Sequence, residues 1–352
     1  MAYNIIFILL LILSIIEKRN LLGNRIVPIF ISFIFVLVFS SLRGNVGQDI
    51  PNYKDIYDNI FMNKDILEIG FYYFTYAIKF LDLDFNWFLF FSALLSLSFY
   101  YYGLIKFLNT GFVILAFMLI FCDTYMYFNM SGIRQGIALS MILLSAYYAY
   151  KKSTLKFIIL IFSAVLFHKS AIVGLLIYPI INVNVKFNAK NLTLLFLCIG
   201  AWLFVLPYIM NNFLMNSNIK GTTMYLSESY NEFSLSAYII GIIRRIYPLL
   251  LILIFRKNIE RSHLIKGITN VYLLGFIIYL INYPVLQDIT VRLSSYFLLF
   301  EAIIIVTILK NIQSKFNLYF IYSLVFIFIY LKLMNYANIS TYHYHFYEPI
   351  FY

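Results

Sequence analysis

Charge is what this sequence has least of. Only 12% of its 352 residues are Asp, Glu, Lys or Arg, against about a quarter in a soluble domain. With 63% hydrophobic residues and a mean hydropathy of +0.87, that scarcity excludes a water-soluble fold. Cysteine is nearly missing as well. Cys122 and Cys198 each sit inside an apolar run without metal-ligand spacing, as small hydrophobes do, and carry no information about redox compartment. There is no Gly-rich phosphate loop, no helical cluster of His and carboxylates to bind a metal, and no GxSxG elbow, so nucleotide hydrolysis finds no support. The formal charge of +11 is scattered over short connections rather than gathered on one face, which argues against a nucleic-acid partner.

What is abundant is hydrocarbon. Apolar runs near the length of about 20 helical residues that crosses a bilayer core recur throughout. They occupy 3–16, 26–42, 86–105, 111–129, 132–150, 155–167, 169–182, 190–210, 237–255, 265–283, 290–309 and 316–336. The fold class predicted is all-α: a polytopic transmembrane helical bundle of about 12 spans, in one integral membrane domain over residues 1–352. The 155–182 pair is short enough to re-enter from one side instead. The first run lacks a basic start and a small-residue cleavage site, so it is expected to stay as a helix with its N-terminus outside.

Lys18, Arg19 and Arg25, then Lys106, Lys151, Lys152 and Lys156, Lys186 and Lys190, Arg256, Lys257, Arg261 and Lys266, and Lys310 and Lys315 fall at every second connection. The positive-inside rule makes those connections cytoplasmic. Residues 69–81, rich in aromatics, would reverse that bias as a span and are expected to lie on the outer surface as an interfacial helix. Loops 43–85 and 211–236 are then outside, and Arg43, Asp49, Arg134, His168, Asp288, Arg292 and the tail 337–352 share their face.

Several polar clusters carry candidate chemistry. In "RGNVGQDIPNY", Arg43 is a permanent cation suited to phosphate, Gly44 and Gly47 allow close backbone approach, and Asp49 adds a carboxylate. A solvated loop with a snorkelling arginine explains the same residues. In "NMSGIRQGIALS", Gly132, Gly136 and Ser140 make a small-residue face for helix packing, with Arg134 and Gln135 in the first helical turn. Arg134 also suits lipid head groups at the interface. His168, in "FSAVLFHKSA", can exchange a proton near neutral pH, or simply hydrogen-bond between helices. Arg244 and Arg245 lie about 11 Å into their helix at 1.5 Å per residue. An arginine that deep costs about 2.5–3.5 kcal/mol, which points to a hydrated cavity or an anion. Asp288 and Arg292 stand at i and i+4 and can pair with each other. Together these describe a site for an anionic, phosphate-bearing substrate.

At these residues the sequence resembles the EpsG-like family of polysaccharide polymerases, which includes Wzy-type O-antigen polymerases. The elements are Arg43, Gly47, Asp49 and Tyr53; Arg134, Gln135 and Ala138; and Phe167, His168 and Ser170, in that order. The clear likeness covers 30–182. It implies a glycosyltransferase that needs no metal or cofactor, in the bacterial inner membrane with its site facing the periplasm or exterior. The enzyme would pass a growing glycan from one undecaprenyl pyrophosphate to the next lipid-linked repeat unit. Donor and acceptor glycolipids, membrane lipid and a chain-length regulator protein are the partners this role implies.

On that reading Arg43, Arg134 and one or both of Arg244 and Arg245 hold pyrophosphate, with Tyr53, Gln135 and Arg292 as further contacts to pyrophosphate or glycan. Asp49 or His168 is the base that activates the acceptor. A flippase of lipid-linked oligosaccharide and a membrane acyltransferase are the competing readings.

Overall fold

The computed structural model describes residues 1–183, 233–255 and 263–346. The predicted helix 190–210, most of the loop 211–236, Cys198, and the basic positions Lys186, Lys190, Arg256, Lys257 and Arg261 lie outside them. Helix occupies each of the other predicted runs. In order come α1 (Ala2–Arg19), α2 (Ile26–Ser41), α3 (Ile50–Asp58), α4 (Ile69–Phe80), α5 (Phe85–Leu108), α6 (Val113–Ile120), a π-helix (Phe121–Asn129), α7 (Ile133–Tyr150) and α8 (Thr154–Phe167). A 3-10 helix (Lys169–Leu176) and α9 (Ile177–Ile181) follow, then α10 (Leu235–Ile254), α11 (His263–Asn282), α12 (Gln287–Leu298), α13 (Glu301–Asn311) and α14 (Lys315–Ala337). No strand occurs among the described residues; Arg43 and Phe346 form an isolated antiparallel bridge.

Five helical stretches are long and apolar enough to cross a membrane: Phe85–Leu108, Leu235–Ile254, His263–Asn282, Gln287–Asn311 and Lys315–Ala337. Shorter apolar helices include Ile26–Ser41, Val113–Asn129 and Thr154–Phe167. Surface chemistry agrees. On α1, Tyr3, Ile6, Phe7, Leu10 and Leu13 are buried while Ile5, Ile8, Ile12 and Ile15 are exposed; on α14, Phe316, Phe320, Leu324, Ile327 and Leu331 are exposed. Such apolar stripes at helical spacing are intolerable in water over this length and natural against lipid. The chain is a membrane protein. Helix α4, with 12 residues, reaches about 18 Å at 1.5 Å per residue, too short to span.

Contacts divide the chain into two compact units, Met1–Tyr178 with Glu301–Tyr352, and Pro179–Phe300. In the first, α7 is buried on every face, with Ile137, Leu139, Ile142 and Leu143 fully enclosed, and packs against both α5 and α8. Gly103 of α5 lies against the Leu143 side chain and the Leu144 backbone N.

The connections of this unit meet at two ends. At one end, Glu17 closes α1 and caps the start of α6: its Oε1 accepts the Gly111 and Val113 N–H groups at 2.8 and 2.9 Å, and its Oε2 accepts the Ile114 N–H at 2.9 Å. Lys310 Nζ donates to Leu108 O at 2.6 Å, and Lys18 sits 4.0 Å from the Tyr322 ring centre. At the other end of α1, the Tyr3 hydroxyl donates to Tyr342 O at 2.6 Å, and the segment 43–47 pairs with 341–346. The basic connections 18–25, 106–111 and 310–315 thus gather away from Arg43.

Glu17 is fully buried, which makes the cap a sensitive point. Glu17→Gln keeps one acceptor oxygen but turns an amide NH2 toward the Ile114 N–H. One lost bond and an unsatisfied buried donor should cost about 2 kcal/mol, read as a lower thermal midpoint of the detergent-solubilised protein.

In the second unit, α11 packs on α12, with Gly275 close to Phe297 Cβ and Ser294 O. Gly241 of α10 lets Tyr279 of α11 approach its backbone.

Candidate functional site

The site begins with a π-helix. Met130 N–H reaches back to Tyr125 O at 3.0 Å and Gly132 N–H to Tyr127 O at 3.4 Å, five residues each, so Phe121–Asn129 is wound wider than an α-helix, a rare form that is frequent at functional sites. The chain then turns through Met130–Gly132 into α7. Loop 43–49 docks on that turn. Gly47 has φ +118°, and a Cβ there would collide with the Met130 carbonyl, so glycine is required twice over. Ser131 Oγ accepts the Asp49 N–H at 3.1 Å. Gly136, part of the small-residue face, makes room for the Asn129 side chain.

Arg43 is 2% exposed. Its Nη2 donates to Asn129 O at 3.1 Å and its Nη1 contacts Met130 Sδ; its Nε has no partner among the described residues. The segment 341–346 covers it: Gly44 N–H bonds His345 O at 2.9 Å, Gly47 N–H bonds Thr341 O at 2.8 Å, and Tyr344 stacks on Phe39 at 4.4 Å. Asp49 is half-buried beside this seam.

Arg134 stands in the first turn of α7. Its backbone N–H and Nε meet the Tyr53 hydroxyl at 3.3 and 3.4 Å, and its guanidinium lies over the Tyr53 and Phe71 rings. Its Nη1 makes a 2.7 Å ion pair with Glu68 Oε2. The other oxygen of Glu68 lies 3.4 Å from His168 Nδ1 and accepts the Lys169 N–H at 3.4 Å. Glu68 therefore joins two residues that the sequence pattern singled out and that stand far apart in the chain.

The join has a local cause. Glu68 is extended, φ −63° and ψ 139°, just before α4, and Gly70 permits the start of α4 to touch the Leu166 backbone near the end of α8. His168 follows α8 with φ −154° and ψ 116°, which breaks the helix before Lys169. Glu68 is 8% exposed. Burial would raise its carboxyl, but the His168 contact and the Arg134 charge outweigh it and hold the group down at about 2. What it contributes to stability is thus present above the usual value near 4.5 and fades as pH falls toward 2.

Sequence reasoning missed Glu68, which reads as one acid among several in a polar loop. It also missed an ion-pair network centred on a buried lysine. Lys332 of α14 is 6% exposed and meets Asp123 Oδ2 of the π-helix at 2.6 Å and Glu301 Oε1 of α13 at 3.2 Å. The Tyr336 hydroxyl donates to Asp123 Oδ1 at 3.4 Å.

The structure brings Tyr53, Arg134 and His168 together, places Asp49 and Arg43 on the adjoining turn, and buries Gln135 within α7 at 1% exposure. Arg244, Arg245 and Arg292 belong to the second unit. There Arg245 Nη1 donates to Gly241 O at 2.9 Å, with its guanidinium 3.8 Å from the Tyr279 ring centre. Arg292 Nε pairs with Asp288 Oδ2 at 2.7 Å, the i,i+4 arrangement that spacing predicts. Among the described residues no three His, Cys, Asp or Glu side chains gather as metal ligands would.

The model of the EpsG family matches residues 26–347 of the chain. No curated protein and no solved structure matches it.

Proposed function

The chain belongs to the EpsG family, and on that premise we propose that it is a glycosyltransferase that polymerises lipid-linked oligosaccharide repeat units. It works in the bacterial inner membrane, with about 12 crossings and its site on the outer face. The observation that carries the reading is the Arg134–Glu68–His168 cluster: a cation held ready beside an imidazole, with Asp49 and Arg43 on the neighbouring turn. Transfer of a glycan from a pyrophosphate asks for those two things. Charge on the departing pyrophosphate is met by arginine, and the attacking sugar hydroxyl gives its proton to a base near its working pH.

Arg134 takes the pyrophosphate role in this account. Arg43 joins it only when the segment 341–346 lifts, since that segment now covers it. Arg244, Arg245 and Arg292, which belong to the second unit, keep the role that the resemblance implies for them, contacts for an anionic substrate. Surface polysaccharide such as O-antigen is the product, and a chain-length regulator is a partner suited to the role.

Deleting the gene tests this reading. The expected glycan profile is a single repeat unit on the final acceptor, with no ladder. A loss of all exported units would mark a flippase instead.

A further inference from the structure

Two features of Glu68 go beyond an ion pair with Arg134. Its two oxygens are divided: Oε2 pairs with Arg134, while Oε1 accepts the Lys169 N–H and lies 3.4 Å from His168 Nδ1, an ion-pair distance that a small turn of the ring would bring into hydrogen-bond alignment. It is also nearly sealed from water, at 8% exposure, while the His168 side chain keeps 19%. A carboxylate that served only to neutralise Arg134 would not need to face Nδ1 of an imidazole.

We propose that Glu68 is the positioning residue of this site: its carboxylate holds the His168 proton on Nδ1 and so makes Nε2 the nitrogen that accepts the proton of the acceptor hydroxyl. The inference rests on the polymerase reading and decides between Asp49 and His168 as the base. A neutral imidazole carries one N–H, and an anion beside Nδ1 selects the tautomer with the proton there. Beside His168 stand Glu68, just before α4, and Lys169, next in the chain, with Arg134 of α7 on the other oxygen of Glu68 and Tyr53 of α3 behind Arg134. Arg134 keeps Glu68 ionised, so the carboxylate accepts the Nδ1 proton without taking it.

The transfer then balances. The acceptor hydroxyl loses its proton to His168 Nε2 as its oxygen bonds to the anomeric carbon of the donor glycan. The bond from that carbon to the pyrophosphate oxygen breaks, and the electron pair leaves with the lipid pyrophosphate, whose charge Arg134 meets. The imidazolium, protonated on both nitrogens and stabilised by Glu68, returns the Nε2 proton to solvent.

The test uses the full chain in lipid nanodiscs with 15N-labelled histidine. The sequence has four histidines, and the ring signals absent from His168→Ala identify the one of interest. Wild type should show the Nδ1–H tautomer at neutral pH, and Glu68→Gln should lose it. Lengthening of a defined lipid-linked repeat unit by Glu68→Gln should fall about 10²–10⁴-fold, the contribution of a general base. KM for the acceptor should change little, and the acid limb of the rate profile should move to lower pH, as loss of an anion beside an imidazolium requires. Glu68→Asp should recover part of the rate.

An Nε2–H tautomer in wild type overturns the inference, as does a slowed Glu68→Gln with tautomer and acid limb unmoved. An Nδ1–H tautomer in a wild-type chain that lengthens no glycan overturns the polymerase reading, and with it the reaction assigned here, but not the Glu68–His168 pairing.

Discussion

Replacing Lys332 by methionine is expected to cost about 3–5 kcal/mol of stability, the range for breaking a buried ion pair from one side. The reason is what stays behind. Lys332 is 6% exposed and meets Glu301, whose side chain is 13% exposed, at 3.2 Å and the half-exposed Asp123 at 2.6 Å; without it the nearly buried Glu301 carboxylate loses its cation among apolar helices. Methionine fills nearly the same volume, so packing is not the main loss. At about 1.4 kcal/mol per decade, the folded-to-unfolded ratio falls by roughly 10²–10⁴. Thermal unfolding in detergent measures it, and adding Asp123→Asn with Glu301→Gln to Lys332→Met should restore much of the loss. An unshifted midpoint in the single variant would show that the network is not coupled to folding.

The second large effect is on activity. Arg134→Gln should slow glycan lengthening by about 10²–10³-fold, what one well-placed donor to a developing anion contributes. The guanidinium is oriented before substrate arrives, held by Glu68 at 2.7 Å, by the Tyr53 hydroxyl, and over two aromatic rings. Arg134→Lys keeps the charge but not the planar fork that reaches Tyr53 and Glu68 at once, so it should fall between the two. Since Glu68 also bonds the Lys169 N–H, Arg134→Gln is paired with Arg134→Gln/Glu68→Gln. The double variant should be no slower than the worse single one, because both act through one cluster.

Much of this was legible in the sequence. Apolar runs became helices because run length and backbone hydrogen bonding leave a membrane segment little choice. The short segment 69–81, excluded as a span by the charge pattern, is α4, a helix of 12 residues. Arg134 and His168 stood out because a lone polar residue near an apolar helix end is conspicuous. Asp288 and Arg292 pair because four residues separate them on one helix.

What could not be read depends on distant chain segments. Glu68 matters only because Gly70 brings it to the end of α8, and neither residue has a distinctive neighbour in the sequence. Lys332 and Asp123 are 209 residues apart, and each alone looks like a stray charge in a greasy run. The burial of Arg43 comes from the fold-back of 341–346, which no local pattern announces. The loop containing Arg43 and Asp49 is thus a packed seam rather than an open turn.

The central claim is that this chain joins lipid-linked repeat units, and purified protein reconstituted with a single defined glycan on undecaprenyl pyrophosphate tests it most directly. The account predicts a ladder of whole-number multiples of the repeat, with one lipid pyrophosphate released per addition and loss of the ladder in His168→Ala. Glycolipid that crosses the bilayer without growing, or a ladder unchanged in His168→Ala and Arg134→Gln, would contradict it.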